Sequence, residues 1–185
     1  MVAIVNRANT IVTDLGGGRW RIAKAGGGDG AFDASAVSTA AIAGDFVLWA
    51  SSSVPTISTF VAVSADPTES NGYTTLDYAA QIYHDEIDIY ERGTFRPPIV
   101  ARDAAVWIAR IGTTLTYRTG ARFGSAVLRR TVTGVTAPLY FDSSLASANS
   151  VIDVRFDPPG TWTAARRART RATLGLGIQT GGTAT

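Results

Sequence analysis

Apolar and polar positions alternate along most of this chain. Phe46, Leu48 and Ala50 alternate with Val47 and Trp49, and Phe60, Ala62 and Ser64 with Val61 and Val63. Tyr78–Tyr83 and Glu86–Glu91 follow, then Val106, Ile108 and Arg110 against Trp107 and Ala109. Leu115 and Tyr117 share a face of Thr114–Arg118. Ala126–Val132, Pro138–Phe141 and Val151–Phe156 complete the series. Earlier, Gly16-Gly17-Gly18 separates Thr10–Leu15 from Arg19–Ala25 and reads as a hairpin turn. Gly26-Gly27-Gly28-Asp29-Gly30 reads as a second, flexible joint, and no strand-loop-helix context makes either run a phosphate cradle. Period-two alternation, β-branched and aromatic enrichment and closely spaced turns predict an all-β fold of two antiparallel sheets, each burying one face.

The pattern changes near the end. Pro158-Pro159-Gly160 breaks the series. From Trp162 to Leu174 the chain is rich in Ala and Arg, both helix formers. Thr161 or Thr163 suits an N-cap and Gly175 a stop. Three parts are therefore expected. Residues 1–30 hold short strands and Gly-rich joints that join the sandwich, 31–157 its body, and 158–185 a basic, helix-prone tail.

Composition narrows the classes. The 185 residues suit one domain, and 45% hydrophobic content is that of a globular chain. No apolar run reaches membrane-spanning length, and Met1–Thr10 lacks a signal pattern, so neither membrane nor secretory pathway is expected. Without cysteine there is no disulfide, thiolate metal site or cysteine catalysis. Lys24 is the only lysine among 17 lysines and arginines. The net charge is +2, but the tail alone carries +4, which leaves −2 for residues 1–160. That split argues against a nucleic-acid-binding body.

Several pieces in order resemble the concanavalin-type, lectin-like jelly-roll modules of phage and bacterial surface proteins. They are Gly44-Asp45-Phe46, Val63–Pro67, Tyr73–Tyr78, Asp103–Tyr117, Ala137–Leu145 and Val151–Arg155. The resemblance covers about 110 residues and implies a hairpin at the middle piece with the "PLYFDSSL" strand packed on it. The segment Ala168–Gly177 is similar to the "R-x-x-L-G-L-G" segment of phage tail fibre proteins. Together they imply a structural virion protein, a fibre, spike or decoration component, assembled in the host cytoplasm and exposed outside the cell. Its partners would be other virion proteins, further copies of itself (fibres are often trimeric) and host surface glycan. The tail would make the attachment, through Trp162, Arg166, Arg167, Arg169, Arg171, Leu174 and Leu176. Arginines so placed suit acidic groups on a neighbouring subunit better than DNA phosphates.

A second resemblance competes. Glu86-Ile87-Asp88-Ile89-Tyr90-Glu91 is similar to the "E-I-D-I-x-E" strand of laminarinase-type retaining β-glucanases. It implies Glu86 as nucleophile, Asp88 as its helper and Glu91 as acid/base. Two carboxylates must then lie about 5 Å apart across the scissile bond. Glu86 and Asp88 share a strand face, and Glu91 joins them only through a bulge near Tyr90. No aromatic-rich stretch precedes Glu86, no histidine follows the motif, and the chain is short for a cleft-building enzyme. A non-enzymatic module is the expectation, with the hydrolase as its alternative.

Sugar sites combine aromatic faces with a few polar groups. Tyr73, Tyr78, Tyr83 and Tyr90 cluster beside the acidic residues and are the candidate glycan contacts. Trp49 and Trp107 read as core; Trp20 and Trp162 flank the body. His84, Asp85, Glu86 and Asp88 carry calcium-ligating atoms, yet consecutive strand residues point to opposite faces, so no metal or other cofactor is expected.

Overall fold

The computed structural model describes residues 2–54, 58–84, 86–101 and 105–157, with side chains omitted at 98–101. The predicted tail lies outside the described residues, and with it Trp162, Arg166, Arg167, Arg169, Arg171, Leu174 and Leu176.

Fourteen strands are described. They are β1 (Ile4–Ala8), β2 (Thr10–Gly16), β3 (Arg19–Lys24), β4 (Ser35–Ser38), β5 (Phe46–Ser52), β6 (Thr59–Ser64) and β7 (Tyr78–Tyr83). Then come β8 (Glu86–Glu91), β9 (Thr94–Ala101), β10 (Val106–Ile111), β11 (Thr114–Thr119), β12 (Val127–Val132), β13 (Tyr140–Leu145) and β14 (Val151–Asp157). Seven form one sheet in the order β12-β11-β10-β5-β14-β3-β2, and five another in the order β13-β6-β7-β8-β9. Every pairing is antiparallel. The two large sheets pack face to face as an antiparallel β-sandwich.

The alternation in the sequence becomes two faces per sheet. Ile22, Leu48, Ile108, Leu115, Tyr117, Ile152 and Val154 point inward from the large sheet. Val61, Val63, Ala80, Ile82, Ile87, Ile89, Phe141 and Leu145 meet them from the other. Burying each larger side chain stabilises the fold by roughly 1.5–3 kcal/mol. Trp20 joins this core and packs edge-on to Phe156 at 6.0 Å.

Both sheets also bury apolar groups on their outer faces. Trp107, Val47, Ala109 and Ala126 form a second cluster with half-buried Trp49, and Trp107 Nε1–H donates to Gly120 O at 2.7 Å. Phe60, Ala62, Leu76 and Ala79 form a third with Phe32, Tyr73 and Tyr90. Trp107 is therefore buried as expected, but against an outer cover rather than between the sheets.

Three strands escape the sequence pattern. β1 and β4 make a separate two-stranded sheet. It attaches to β13 through Ser143, whose hydroxyl donates to Ala36 O and accepts from Ala36 N, each at 3.0 Å. β9 contains Pro97 and Pro98 and is the edge of its sheet, where a missing N–H is tolerated. The glycine turn joins β2 to β3, with Gly16, Gly17 and Gly18 all at positive φ.

Candidate functional site

The outer face of the small sheet carries most of the predicted site residues. Lateral neighbours follow from the register. Tyr83 sits opposite Glu86; Phe60, Gln81 and Asp88 form the next row; Ala62, Ala79, Tyr90 and Phe95 the third.

The segment between β6 and β7 folds back over the third row and the Phe60 end of the second. Arg7 ties it down, its Nη1 donating to Ser70 O and Pro67 O and its Nη2 to Thr68 O. Tyr73 then stacks on Phe60 at 4.9 Å with 10° between the rings. Phe32, Phe60, Tyr73, Tyr90 and Phe95 make a continuous aromatic strip with edge contacts of 4.9–5.9 Å. Phe95 is 37% exposed at the outer end of the strip.

Beyond the strip the face stays open. Tyr83 is 40% exposed, and Gln81, Glu86 and Asp88 are half-buried around it. Gln81 Nε2 donates to Ser58 Oγ at 2.6 Å, which fixes the amide. Asp88 Oδ1 is shielded from solvent and has no hydrogen-bond partner among the described residues. Burial first, and the Glu86 charge second, hold the Asp88 carboxyl above the usual carboxylate range. Burial likewise raises the Tyr90 phenol, helped by Asp88 and Tyr73. The open face thus offers an aromatic ring, an amide and two carboxylates that accept hydrogen bonds.

Two expectations are corrected. Tyr78 points between the sheets against the main core, because it sits an odd number of positions from Tyr83 on one strand. Of the four tyrosines, Tyr73, Tyr83 and Tyr90 share the outer face, and Tyr83 is the one most open to a ligand. Glu91 also points inward. Its carboxylate takes both Nε and Nη2 of Arg130, at 2.6 and 2.9 Å, and lies 3.0 Å from Arg96 Nε. It clamps the two sheets together, while Glu86 and Asp88 face out. The bulge that would unite them is absent from β8, which pairs β7 without interruption from Glu86 to Tyr90. The irregularity lies between β8 and β9, where Ile87 and Ile89 face Val100 and Arg96, so the extra residues belong to β9. The carboxylate pair that the β-glucanase resemblance implies is not assembled.

Among the described residues no group of three or more His, Cys, Asp or Glu side chains could hold a metal ion. Asp85, one of the four calcium candidates, lies outside the described residues.

A loop that the sequence marked as a flexible joint is tied instead. Lys24, at the end of β3, sends its ammonium into the glycine run, donating to Gly28 O, Ala31 O, Asp33 Oδ1 and Ala146 O at 2.6–2.8 Å.

Comparison with solved structures places this architecture. The SPRY domain of human HERC1 superposes with a TM-score of 0.57 at 12% identity, covering 81% of this chain and 92% of that one. A legume lectin-like domain from Entamoeba histolytica gives 0.55 at 9%, covering 83% and 89%. The exoplasmic/lumenal domain of VIP36, in its Ca2+/Man3GlcNAc-bound form, gives 0.54 at 11%, covering 83% of each. These likenesses establish the lectin-like and SPRY-type sandwich fold. No family model matches the sequence, and no curated protein does.

Proposed function

We propose that this chain is a non-enzymatic binding module of a virion surface component, fibre, spike or decoration protein, and that it binds host glycan on the outer face of β7, β8 and β9. The observation that carries the reading is the open half of that face. Tyr83 and Phe95 supply aromatic surface, while the half-buried Gln81, Glu86 and Asp88 supply polar groups for sugar hydroxyls. One similar fold, VIP36, is named as a glycan-bound form, which supports looking for a sugar first. The tail would join the module to other virion proteins or to further copies, a trimer among the arrangements that fibres use.

The test is a glycan array with the full chain, followed by titration of the best hit. Tyr83→Ala and Asp88→Asn should each weaken binding at least several-fold, while Tyr78→Phe, in the core, leaves it unchanged. Binding that survives both outer-face changes would move the site elsewhere. The attachment half is read separately by light scattering. Replacing Arg166, Arg167, Arg169 and Arg171 with alanine should lower the assembly state without altering glycan binding.

A second reading is favoured by the SPRY-type neighbours. The same face would then take a protein ligand. An array without hits, together with partner capture abolished by Tyr83→Ala, would support it.

A further inference from the structure

Lys24 is the only lysine beside sixteen arginines, and it occupies a place that suits a guanidinium poorly. Its side chain is 2% exposed. Four oxygens surround the ammonium: Gly28 O at 2.7 Å, Ala31 O at 2.8 Å, Asp33 Oδ1 at 2.6 Å and Ala146 O at 2.6 Å. An ammonium is a compact charge with three rotatable donors, so it can sit at the centre of such a set with one N–H shared between two of the four oxygens. A planar guanidinium spreads its donors along a fork and would push the oxygens apart.

The oxygens are held independently of the lysine. Gly28 N–H donates to Asp33 Oδ2 at 2.8 Å, and Asn9 Nδ2 to Asp33 O at 3.1 Å. Ala148 N–H donates to Asp29 Oδ1 at 2.8 Å, which ties the glycine loop to the turn that supplies Ala146. Gly27 has φ +83, and a Cβ there would collide with the Asp33 carboxylate. The glycine run is what lets the backbone close around a central charge.

We propose that residues 26–33 with Ala146 form a cation-binding cage whose cation is the chain's own Lys24 ammonium. Emptied of that ammonium, the cage takes a free monovalent cation of similar size. Calcium suits it less well. Calcium takes six to eight oxygens at about 2.3–2.6 Å. This cage supplies four from protein at 2.6–2.8 Å, with one carboxylate, Asp33, among them. The tethered ammonium makes this end of the sandwich independent of the ions around it.

The test removes the ammonium and offers substitutes. Full-length Lys24→Ala is melted in choline chloride, lithium chloride, potassium chloride, methylammonium chloride and calcium chloride at matched ionic strength, beside the wild type. The variant should melt well below the wild type in choline. Methylammonium and potassium should raise its midpoint saturably, and lithium should not. The wild type should respond equally to all five. A variant as stable as the wild type in choline, or raised equally by every salt, overturns the proposal, and a larger response to calcium overturns the monovalent assignment. If Lys24→Ala fails to fold, amine-reactive labelling read at the peptide that bears Lys24, the only lysine, and so apart from the α-amine, decides. Native Lys24 should label many-fold more slowly than in the denatured chain, and Asp33→Asn should speed it several-fold. Labelling of native Lys24 at the denatured rate, or no change in Asp33→Asn, overturns the cage.

Discussion

Lys24 and Asp142 are both buried ionisable groups, 8% and 2% exposed, and the molecule supplies them with partners very differently. Lys24 reaches four oxygens within 2.8 Å. Asp142, on the outer face of β13, takes Ser143 N–H at 2.8 Å and a hydroxyl from Ser64. Arg7 is close enough to be felt, but its guanidinium donates to three carbonyls of the 67–70 segment instead. Burial wins at Asp142 and pushes its carboxyl up to about 8. At Asp142 burial outweighs the few partners the carboxyl has.

The largest expected effect tests the well-supplied charge. Gly27→Ala and Gly30→Ala both place a side chain at positive φ, +83 and +78. Each should cost about 1 kcal/mol for that conformation. Only Gly27 abuts the Asp33 carboxylate; nothing lies within 4 Å of a Cβ at Gly30. Gly27→Ala should therefore also displace the half-exposed Asp33 carboxylate from the buried Lys24 ammonium and lose clearly more than Gly30→Ala, since the ammonium is left short of a partner. Denaturant unfolding of the two variants measures the difference. Equal losses would mean that the cage adds nothing beyond backbone strain.

The next effect tests the poorly supplied charge. The Asp142 carboxyl lies above its ordinary value of 3.8 in the folded chain, so the native state holds the extra proton. Its contribution to stability is complete below pH 4 and is lost as pH rises toward about 8. Asp142→Asn cannot lose that proton. The stability of the variant relative to the wild type should therefore climb with pH, by about 2 kcal/mol between pH 6 and pH 8. Parallel stability curves over that range would show Asp142 charged and compensated after all.

Much of the sandwich was legible because a half-buried strand must alternate. The core residues of β5, β6, β10, β11 and β14 appear in the sequence as period-two runs. β9 was hidden by Pro97 and Pro98, which an edge position tolerates. β4 was hidden by its length of four residues. Parity along one strand suffices to separate Tyr78 from Tyr83 and Glu91 from Glu86. Parity within a strand says nothing of what covers a face, so the strip from Phe32 to Phe95 could not be read. The Lys24 cage was illegible for another reason. Three of its four oxygens are backbone carbonyls, which carry no sequence signature, and Ala146 is 122 positions away. A single lysine beside a glycine run and Asp33 was the available signal.

The smallest effect asks whether the contrast between the two charges is graded. Ser64 Oγ donates to Asp142 and accepts from Asp77 N–H at 3.3 Å, so it is one of the few partners the carboxyl has. Ser64→Ala removes that partner without changing the depth of the site. The loss in stability at pH 5 should be modest, about 1 kcal/mol, as for a single hydrogen bond. The informative readout is the Asp142 titration, followed through its side-chain carboxyl resonance. Its midpoint should move up, because the hydroxyl favours the ionised form and burial then acts with less opposition. An unchanged midpoint would locate the cause in depth alone. In that case the supply of partners would not be what sets the buried carboxyl apart, and the contrast with the Lys24 site would rest on burial alone.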